Sequence, residues 1–423
     1  MIVYFKVGNY KSINKPLTLN FNSSSIGEHS ESNIVNNGKT SLLKSILLYG
    51  HNASGKSKIL DALDYFKWFI NNSATEKNSN QDIDVEPFRL LESTINKPSY
   101  FEMSFFIGKA KYRYGFEADR QMVHKEWLLE VKVTKEYPLF LRIGQEIDID
   151  FKRFENSNDL DKRTRKNALF LSVASQWNVK KAQEIDGWIE SIFNIHGIND
   201  KDYRQLTIDL LNDKKYTKIV NKFMQKADLG IDSVDVVDIP IKFEDIKENI
   251  PEELRDRFKE ELKRRSPTTV ITGHNKYNDN DEFVETESFI MDKAESEGTK
   301  KYFNLIGLLI TALLEDRLVI IDEFDARLHS LLSKAIIKLF NSGKIKTKAQ
   351  LLVASHDTAL IDGDLLRRDQ VYFIEKNVRG ETKATSLVEF KPRKETPFDK
   401  KYLEGKYGGI PFIDDLESLL ING

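Results

Sequence analysis

Cysteine is absent from the 423-residue chain. Its absence removes disulfide frameworks, thiolate zinc sites, iron–sulfur clusters and cysteine nucleophiles together, and it suits a reducing compartment. Long hydrophobic runs are lacking too. The longest, Phe303 to Leu314, is broken by Asn304 and Thr311 and falls short of the ~20 residues that span a bilayer, so it reads as a buried helix. Met1–Val7 shows no basic region followed by an apolar stretch, and no signal peptide is expected. Nor is there an excess of either charge. With 64 basic and 66 acidic residues the net charge is −2, which excludes coating of nucleic acid by bulk positive charge but leaves room for a local basic patch. Apolar residues make up 40% and charged residues 31%, enough to bury a core and stay soluble. The length suits on the order of two or three domains, or one large domain with an insertion, in a cytoplasmic protein.

The first 20 residues alternate as strands do, Ile2 to Val7 and then Leu17, Leu19 and Phe21 after a turn at Gly8-Asn9. Asn22 to Thr40, rich in Ser, Asn and Gly, reads as a loop. Ser45–Tyr49 is a short apolar strand that runs into a glycine loop and then into a helical pattern from Lys58 to Phe66. Tyr100–Phe106, Lys111–Phe116, Glu126–Val133 and Pro138–Ile143 read as an antiparallel meander. Beyond about residue 155 charged helical segments follow one another: Ala182–Phe193, Tyr203–Leu211, Lys215–Ala227 and Pro251–Arg265. Strand character returns near Ser288–Met291, a long helix runs to about Leu314, and strands and helices then alternate. This divides the chain into an N-terminal lobe over 1–150 with the glycine loop and meander, a mainly helical insertion or arm over 151–285, and a C-terminal lobe over 286–423.

Gly50-His51-Asn52-Ala53-Ser54-Gly55-Lys56-Ser57 matches G-x-x-x-x-G-K-[ST] between a strand and a helix. Two glycines let the backbone of Asn52, Ala53 and Ser54 fold into a nest of amides, and the following helix adds its positive N-terminus. Lys56 is expected to reach the β- and γ-phosphates of a nucleotide and the Ser57 hydroxyl to bind Mg²⁺. The competing reading is a chance glycine turn.

Arg317–Ile321 is an apolar strand ending in Asp322-Glu323. A parallel strand buried on both faces reads as one apolar run, and ligands gather at its carboxyl end. Asp322 there would hold Mg²⁺, directly or through water, with Ser57, and Glu323 would act as general base. A second such strand, Gln350–Ala354, leads to Ser355-His356-Asp357, where His356 could bond the γ-phosphate or the attacking water. Ser296 and Gly298, in Glu295-Ser296-Glu297-Gly298-Thr299 before the long helix, form a second anion-binding helix start, or simply a helix cap.

The order of these elements resembles the ATP-binding-cassette head, and within that class the RloA-type ATPases related to overcoming-lysogeny-defect, SMC and RecF heads. The resemblance runs nearly end to end. It takes in Val7-Gly8-Asn9-Tyr10-Lys11-Ser12-Ile13, the glycine loop, Tyr112–Phe116, Ala227–Ile231 and Glu295–Lys300. It continues through Ile321–His329, Ala354–Thr358, Arg367–Gln370 and Tyr402–Pro411. It implies an α/β P-loop NTPase fold, a mixed sheet with helices plus an antiparallel β lobe and a helical insertion. It implies ATP and Mg²⁺ as ligands and hydrolysis at composite sites in a homodimer or higher homo-oligomer. Residue by residue, Lys56 and Ser57 would bind phosphate and Mg²⁺, Asp322 would support the metal, Glu323 would be the base and His356 the switch histidine. Ser296 and Gly298 would act in trans, Asp325 would touch the partner subunit, and Lys11 would lie in a basic motif near the nucleotide. Two features depart from the family. Transporter heads carry serine-glycine-glycine-glutamine where this chain has Ser296-Glu297-Gly298-Thr299, and Pro87-Phe88-Arg89 stands roughly at the magnesium-binding glutamine loop without its glutamine. The insertion is also too short for a long SMC coiled coil.

Proteins of this resemblance sit mostly in bacterial anti-phage systems beside a separate effector. The first functional expectation is therefore a sensor ATPase that holds or releases a toxic partner such as a nuclease. The alternative is a DNA-repair or DNA-end-binding head, which would need a basic groove; Lys214-Lys215, Lys300-Lys301 and Lys400-Lys401 are the candidates, against the plainer reading of surface lysines. A self-sufficient nuclease is disfavoured, because Asp357–Gly423 is expected to be too short for an appended nuclease domain. The acidic pairs Asp362-Gly363-Asp364, in an expected loop, and Asp148-Ile149-Asp150, near a strand end, are disfavoured as a nuclease metal site, and the histidines elsewhere are isolated and give no metal-ligand spacing.

Overall fold

A computed structural model of the chain describes residues 1–75, 81–197, 201–238, 255, 268–393 and 396–410. The charged segment Pro251–Arg265 therefore lies outside the described residues, apart from Arg255, and so does Pro411. The chain forms two units. The first is Met1–Gly197 with Ala312–Ala326 and Ser333–Gly423, and the second is Ile198–Thr311 with Arg327–Leu332.

In the first unit the meander expected from the alternation is present and larger. Strands β1 (Ile2–Gly8), β2 (Leu17–Asn20), β6 (Ser99–Ile107), β7 (Ala110–Ala118), β8 (Val123–Lys132), β9 (Lys135–Ile143) and β10 (Glu146–Ile149) form one antiparallel sheet in the order β10-β9-β8-β7-β6-β1-β2. Its buried face is largely aromatic. The helix α1 (Lys56–Asn72) lays Phe66 and Phe69 against it, with Phe66 stacked on Phe116 at 5.7 Å and edge-on to Phe5 at 5.7 Å. Ring pairs of this kind add to the area they bury, so α1 is fixed firmly at its apolar stripe.

The loop expected over Asn22–Thr40 contains structure. Ile34–Asn37 (β3) and Thr40–Leu43 (β4) pair around Gly38-Lys39, with Gly38 at φ +64°. The two-residue loop is Gly38-Lys39, with glycine at the first position where a positive φ is needed, and the short apolar flanks Ile34-Val35 and Leu42-Leu43 were outweighed by the polar composition around them.

The second sheet of this unit runs β11 (Phe193–His196), β15 (Leu318–Asp322), β16 (Gln350–Ser355), β5 (Ser45–Tyr49), β17 (Val371–Lys376), β18 (Thr382–Ser386). The first five are parallel, and β18 returns antiparallel to β17. Every residue of β5, β15 and β16 is buried, which is why each reads as one unbroken apolar run. Two other helices of this unit are α3 (Phe170–Gln176) and α4 (Lys180–Glu190), after α2 (Glu92–Ile95). The sequence suggests one helix over Ala182–Phe193. In the structure it stops at Glu190, and Phe193–His196 becomes the edge strand beside β15.

The second unit contains α5 (Arg204–Asn212), α6 (Thr217–Lys226) and an antiparallel sheet β12 (Ser233–Asp238), β13 (Thr268–Tyr277), β14 (Phe283–Ile290). Strand structure thus appears already at Ser233–Asp238, well before the Ser288 suggested by the sequence, and β13 opens on a β-branched run, Thr268-Thr269-Val270-Ile271-Thr272. Helices α7 (Met291–Ala294) and α8 (Glu297–Glu315) follow. Gly307 lets α5 approach α8 at backbone distance, since a Cβ there would collide with the Thr207 amide. The Thr207 hydroxyl enters the α8 ladder, donating to Phe303 O (2.8 Å) and accepting from Gly307 N (2.9 Å).

Candidate functional site

Register aligns the carboxyl ends of three strands. Ile321 pairs with Val353, Ala354 with Leu48, and Ser355 with Tyr49, so Asp322-Glu323, Ser355-His356 and Gly50 emerge on one rim. The glycine loop begins there. A Cβ on Gly50 would penetrate the Ile374 carbonyl, and one on Gly55, at φ +110°, would penetrate Thr382. Only glycine fits either place. Ala53 takes a left-handed φ of +61°, which turns the loop toward α1. The amides of Gly55, Lys56 and Ser57 have no protein acceptor among the described residues, and Ser54 Oγ is buried without a partner there. Asn52, Ala53 and Ser57 are exposed.

Lys56 folds back over this loop. Its ammonium donates to Gly50 O (2.6 Å) and His51 O (3.3 Å) and stands 3.4 Å from His356 Nδ1. Burial pushes its pKa down to about 8, against the pull of Asp322, Asp325 and Glu323, which stabilise the charge. Burial also lowers the His356 pKa, helped by the Lys56 charge and opposed by the same three carboxylates. Lys56, Asp322, Glu323, Asp325 and His356 therefore share one electrostatic neighbourhood.

Asp322 is buried at the end of β15, and its Oδ1 accepts the Glu323 amide at 3.0 Å. Glu323 occupies a left-handed φ of +47°, a strained choice for this residue. Gly197, just past β11, makes the turn possible. Its amide donates to Asp322 O (2.8 Å), and a Cβ there would run into the carbonyls of Asp322 and Glu323. Asp325 accepts the His356 amide at 3.2 Å, and Tyr49 donates its hydroxyl to His356 O.

Lys11, also at positive φ (+47°), directs its ammonium to Asp61 of α1 at 2.6 Å, where Tyr10 donates too (2.8 Å). Its turn reaches the glycine loop through Ser12 and Thr382. Ser12 Oγ meets Thr382 Oγ1 at 2.7 Å, and Thr382 Oγ1 lies 3.5 Å from Ser54 O. Pro87-Phe88-Arg89 is clamped to the same turn, with Phe88 N donating to Asn9 Oδ1 (3.1 Å) and Lys11 N to Glu86 O (2.8 Å). Ser296 and Gly298 belong to the second unit. Ser296 Oγ caps α8 by accepting Thr299 N at 3.1 Å, and Gly298 leaves room for Arg327 O, which a Cβ would strike. Beside them Glu295 accepts Thr272 Oγ1 (2.6 Å) and pairs with His274 (2.8 Å).

Gly197, Tyr49, Asp61 and Thr382 were not singled out from the sequence. Only the Gly at 197 leaves a trace, and a lone glycine after a short apolar run is a weak signal.

A triphosphate fits what is present. The loop is a glycine-shaped cradle with unpaired amides at a helix N-terminus and a buried cation bent over it. Mg²⁺ would suit the donor set as well, since Ser57 would offer it an exposed hydroxyl and Asp322 a carboxylate, both hard oxygen donors.

Residues 45–362 match the family model described as "AAA domain, putative AbiEii toxin, Type IV TA system". The chain belongs to this family. It is a P-loop NTPase of the AAA/ABC class, with the mixed α/β fold anticipated above. No curated protein matches the chain. Among solved structures it is similar to an SMC head domain from Thermotoga maritima, at 12% identity and a TM-score of 0.41 over 91% of this chain and 98% of that one. It is similar also to an Smc head domain with an extended coiled coil bound to the C-terminal domain of ScpA derived from Pyrococcus furiosus, at 12% identity and a TM-score of 0.40 over 96% and 99%. Similarity at this level carries no functional argument. Among the described residues no helix is long and apolar enough to cross a membrane.

Proposed function

We propose that the chain binds ATP with Mg²⁺ on the Gly50–Ser57 loop, hydrolyses it, and works as a nucleotide-driven switch between oligomeric states. The observation that carries this reading is the convergence of Lys56 and His356 at 3.4 Å, within the field of Asp322, Glu323 and Asp325, on the rim of adjacent parallel strands.

In this account the free amides and Lys56 hold the β- and γ-phosphates. Ser57 and Asp322 would hold Mg²⁺, which would neutralise phosphate charge. Glu323 takes a proton from water as the water oxygen bonds the γ-phosphorus and the bond to the β–γ bridging oxygen breaks, giving ADP and phosphate. His356 orients the γ-phosphate, and Lys11 adds positive charge at the neighbouring turn. Ser296 and Gly298 of one copy close over the loop of a second copy, with Asp325 at that junction. The 1–150 and 286–423 segments act as the two lobes of the ATPase and 151–285 as the arm.

The switch would control a separate effector in a bacterial anti-phage system in the cytoplasm. The toxin–antitoxin association in the family's description supports a role exerted with a second protein.

The test is ATP turnover by purified protein. Lys56→Ala is expected to lose nucleotide binding. Glu323→Gln is expected to bind MgATP while turnover falls by about 10²- to 10⁴-fold, the contribution of a general base. Unchanged hydrolysis in Glu323→Gln would exclude it from that role, and full binding in Lys56→Ala would remove the loop as the site.

A further inference from the structure

The segment Phe398–Ile410 has no part in the chemistry above, yet it lies against the entrance of the glycine loop. A short helix, α9 (Phe398–Leu403), presents Tyr402. The Tyr402 ring meets Tyr49 edge-on at 4.8 Å and stacks on Phe373 at 5.3 Å, and Tyr407 stacks on Phe373 at 5.1 Å. Gly405, Gly408 and Gly409 then take left-handed φ values of +78°, +70° and +70°, which fold the chain back. At Gly408 it is the left-handed φ that favours glycine, since a Cβ there would meet only the movable Glu375 carboxylate.

The reversal delivers one carbonyl to one place. Gly409 O accepts the His51 amide at 3.0 Å and the Tyr402 hydroxyl at 2.6 Å. Gly409 also passes close enough that its Cβ would sit 3.8 Å from Gly50 Cα and 3.2 Å from Ile374 O. His51 is the second residue of the loop, and Tyr49, whose ring Tyr402 supports, holds the backbone carbonyl of His356. A single C-terminal segment thus fixes the loop where it leaves β5 and, through Tyr49, the strand end that carries His356.

We propose that Tyr402 and Gly409 are positioning residues of the phosphate loop. Resting on the reading of that loop as an ATP site, the proposal assigns the segment the task of holding Gly50–Asn52 in the bound shape before nucleotide arrives. A loop whose amides are already aimed does not have to be ordered by its ligand, so the segment contributes to affinity and leaves the chemical step alone. Tyr402 acts through Gly409 O and the Tyr49 ring, and Gly409 acts through His51 N.

The test uses the full chain with Tyr402→Phe, which keeps the rings and deletes one hydroxyl, and Gly409→Ala, which strains the reversal. Leu403→Ala, an exposed site on the same helix, is the control. Amide exchange is measured without nucleotide on a peptide containing His51, and Kd, KM and kcat are measured with MgATP. The expected result is faster exchange around His51, by about tenfold, and a rise in Kd and KM of about five- to tenfold from loss of one hydrogen bond, with kcat kept. Exchange and KM unchanged in both variants would overturn the proposal. A lowered melting temperature with KM unchanged would overturn it too, since the contact would then be structural only. If the unmodified chain binds no MgATP, the ATP reading fails, and the exchange measurement still decides whether the segment holds the loop.

Discussion

Lys56 Nζ and His356 Nδ1 stand 3.4 Å apart, although 300 residues separate them in sequence. An ammonium can only donate, so the Nδ1 facing it must offer a lone pair and the ring proton must sit on Nε2. The pKa directions agree with that assignment. Burial lowers both groups, and the Lys56 charge lowers His356 further. The pair therefore presents one cation and one neutral imidazole whose Nε2–H has no partner among the described residues, a combination suited to holding phosphate oxygens without repelling itself.

The depressed Lys56 value has a pH signature. Lys56 titrates near 8 in the folded chain against 10.5 in the unfolded reference, so the unfolded state holds more protons between those values and this group's contribution to stability grows as pH rises through them. Phosphate at the loop would restore the ordinary pKa. MgATP binding above about pH 8 should then take up a proton, and its Kd should weaken toward about tenfold per pH unit up to about pH 10. Calorimetry in buffers of different ionisation enthalpy measures the uptake. A flat Kd with no proton uptake would show that Lys56 does not face the phosphates.

Gly197→Ala should act on Glu323 from the neighbouring strand. The added methyl meets the carbonyls of Asp322 and Glu323 and forces the left-handed Glu323 turn to move. Because the glycine loop is untouched, kcat should fall by more than about tenfold while KM changes little. Steady-state kinetics separates the two. Equal loss in binding would place the effect in the loop instead.

Arg367 is wholly buried and holds a remote loop together. Its guanidinium bonds Asp369 through two nitrogens (2.9 and 2.8 Å) and also Ile26 O, Glu28 O and Ser24 O. Arg367→Ala leaves the Asp369 charge and three carbonyls without that partner, and should lower unfolding free energy by about 3–5 kcal/mol. Arg367→Lys should not restore it, since a point charge cannot span the fork. Urea denaturation measures both. A cost under about 1 kcal/mol, as for surface pairs, would contradict this.

The elements that position the site were legible because their physics is local. β5, β15 and β16 are buried on both faces and read as apolar runs, and the Gly50–Ser57 spacing needs only its own backbone. The parts that were not legible depend on distant partners. Phe193–His196 becomes a strand only because β15 offers it an edge. Thr382 matters because Gly55 has no Cβ, and Gly409 because His51 needs an acceptor. None of these has a periodicity of its own. The hairpin at Ile34–Leu43 was hidden by its polar surroundings, its turn marked only by Gly38.

The mass of Glu323→Gln in solution tests the central claim most directly. Light scattering on eluting protein is measured with MgATP, with ADP and without nucleotide. If two copies close over ATP and hydrolysis releases them, this variant should run near its 49.0 kDa monomer mass without ATP and at about twice that or more with MgATP, returning with ADP. A mass that stays the same in all three conditions, with MgATP demonstrably bound, would contradict the switch.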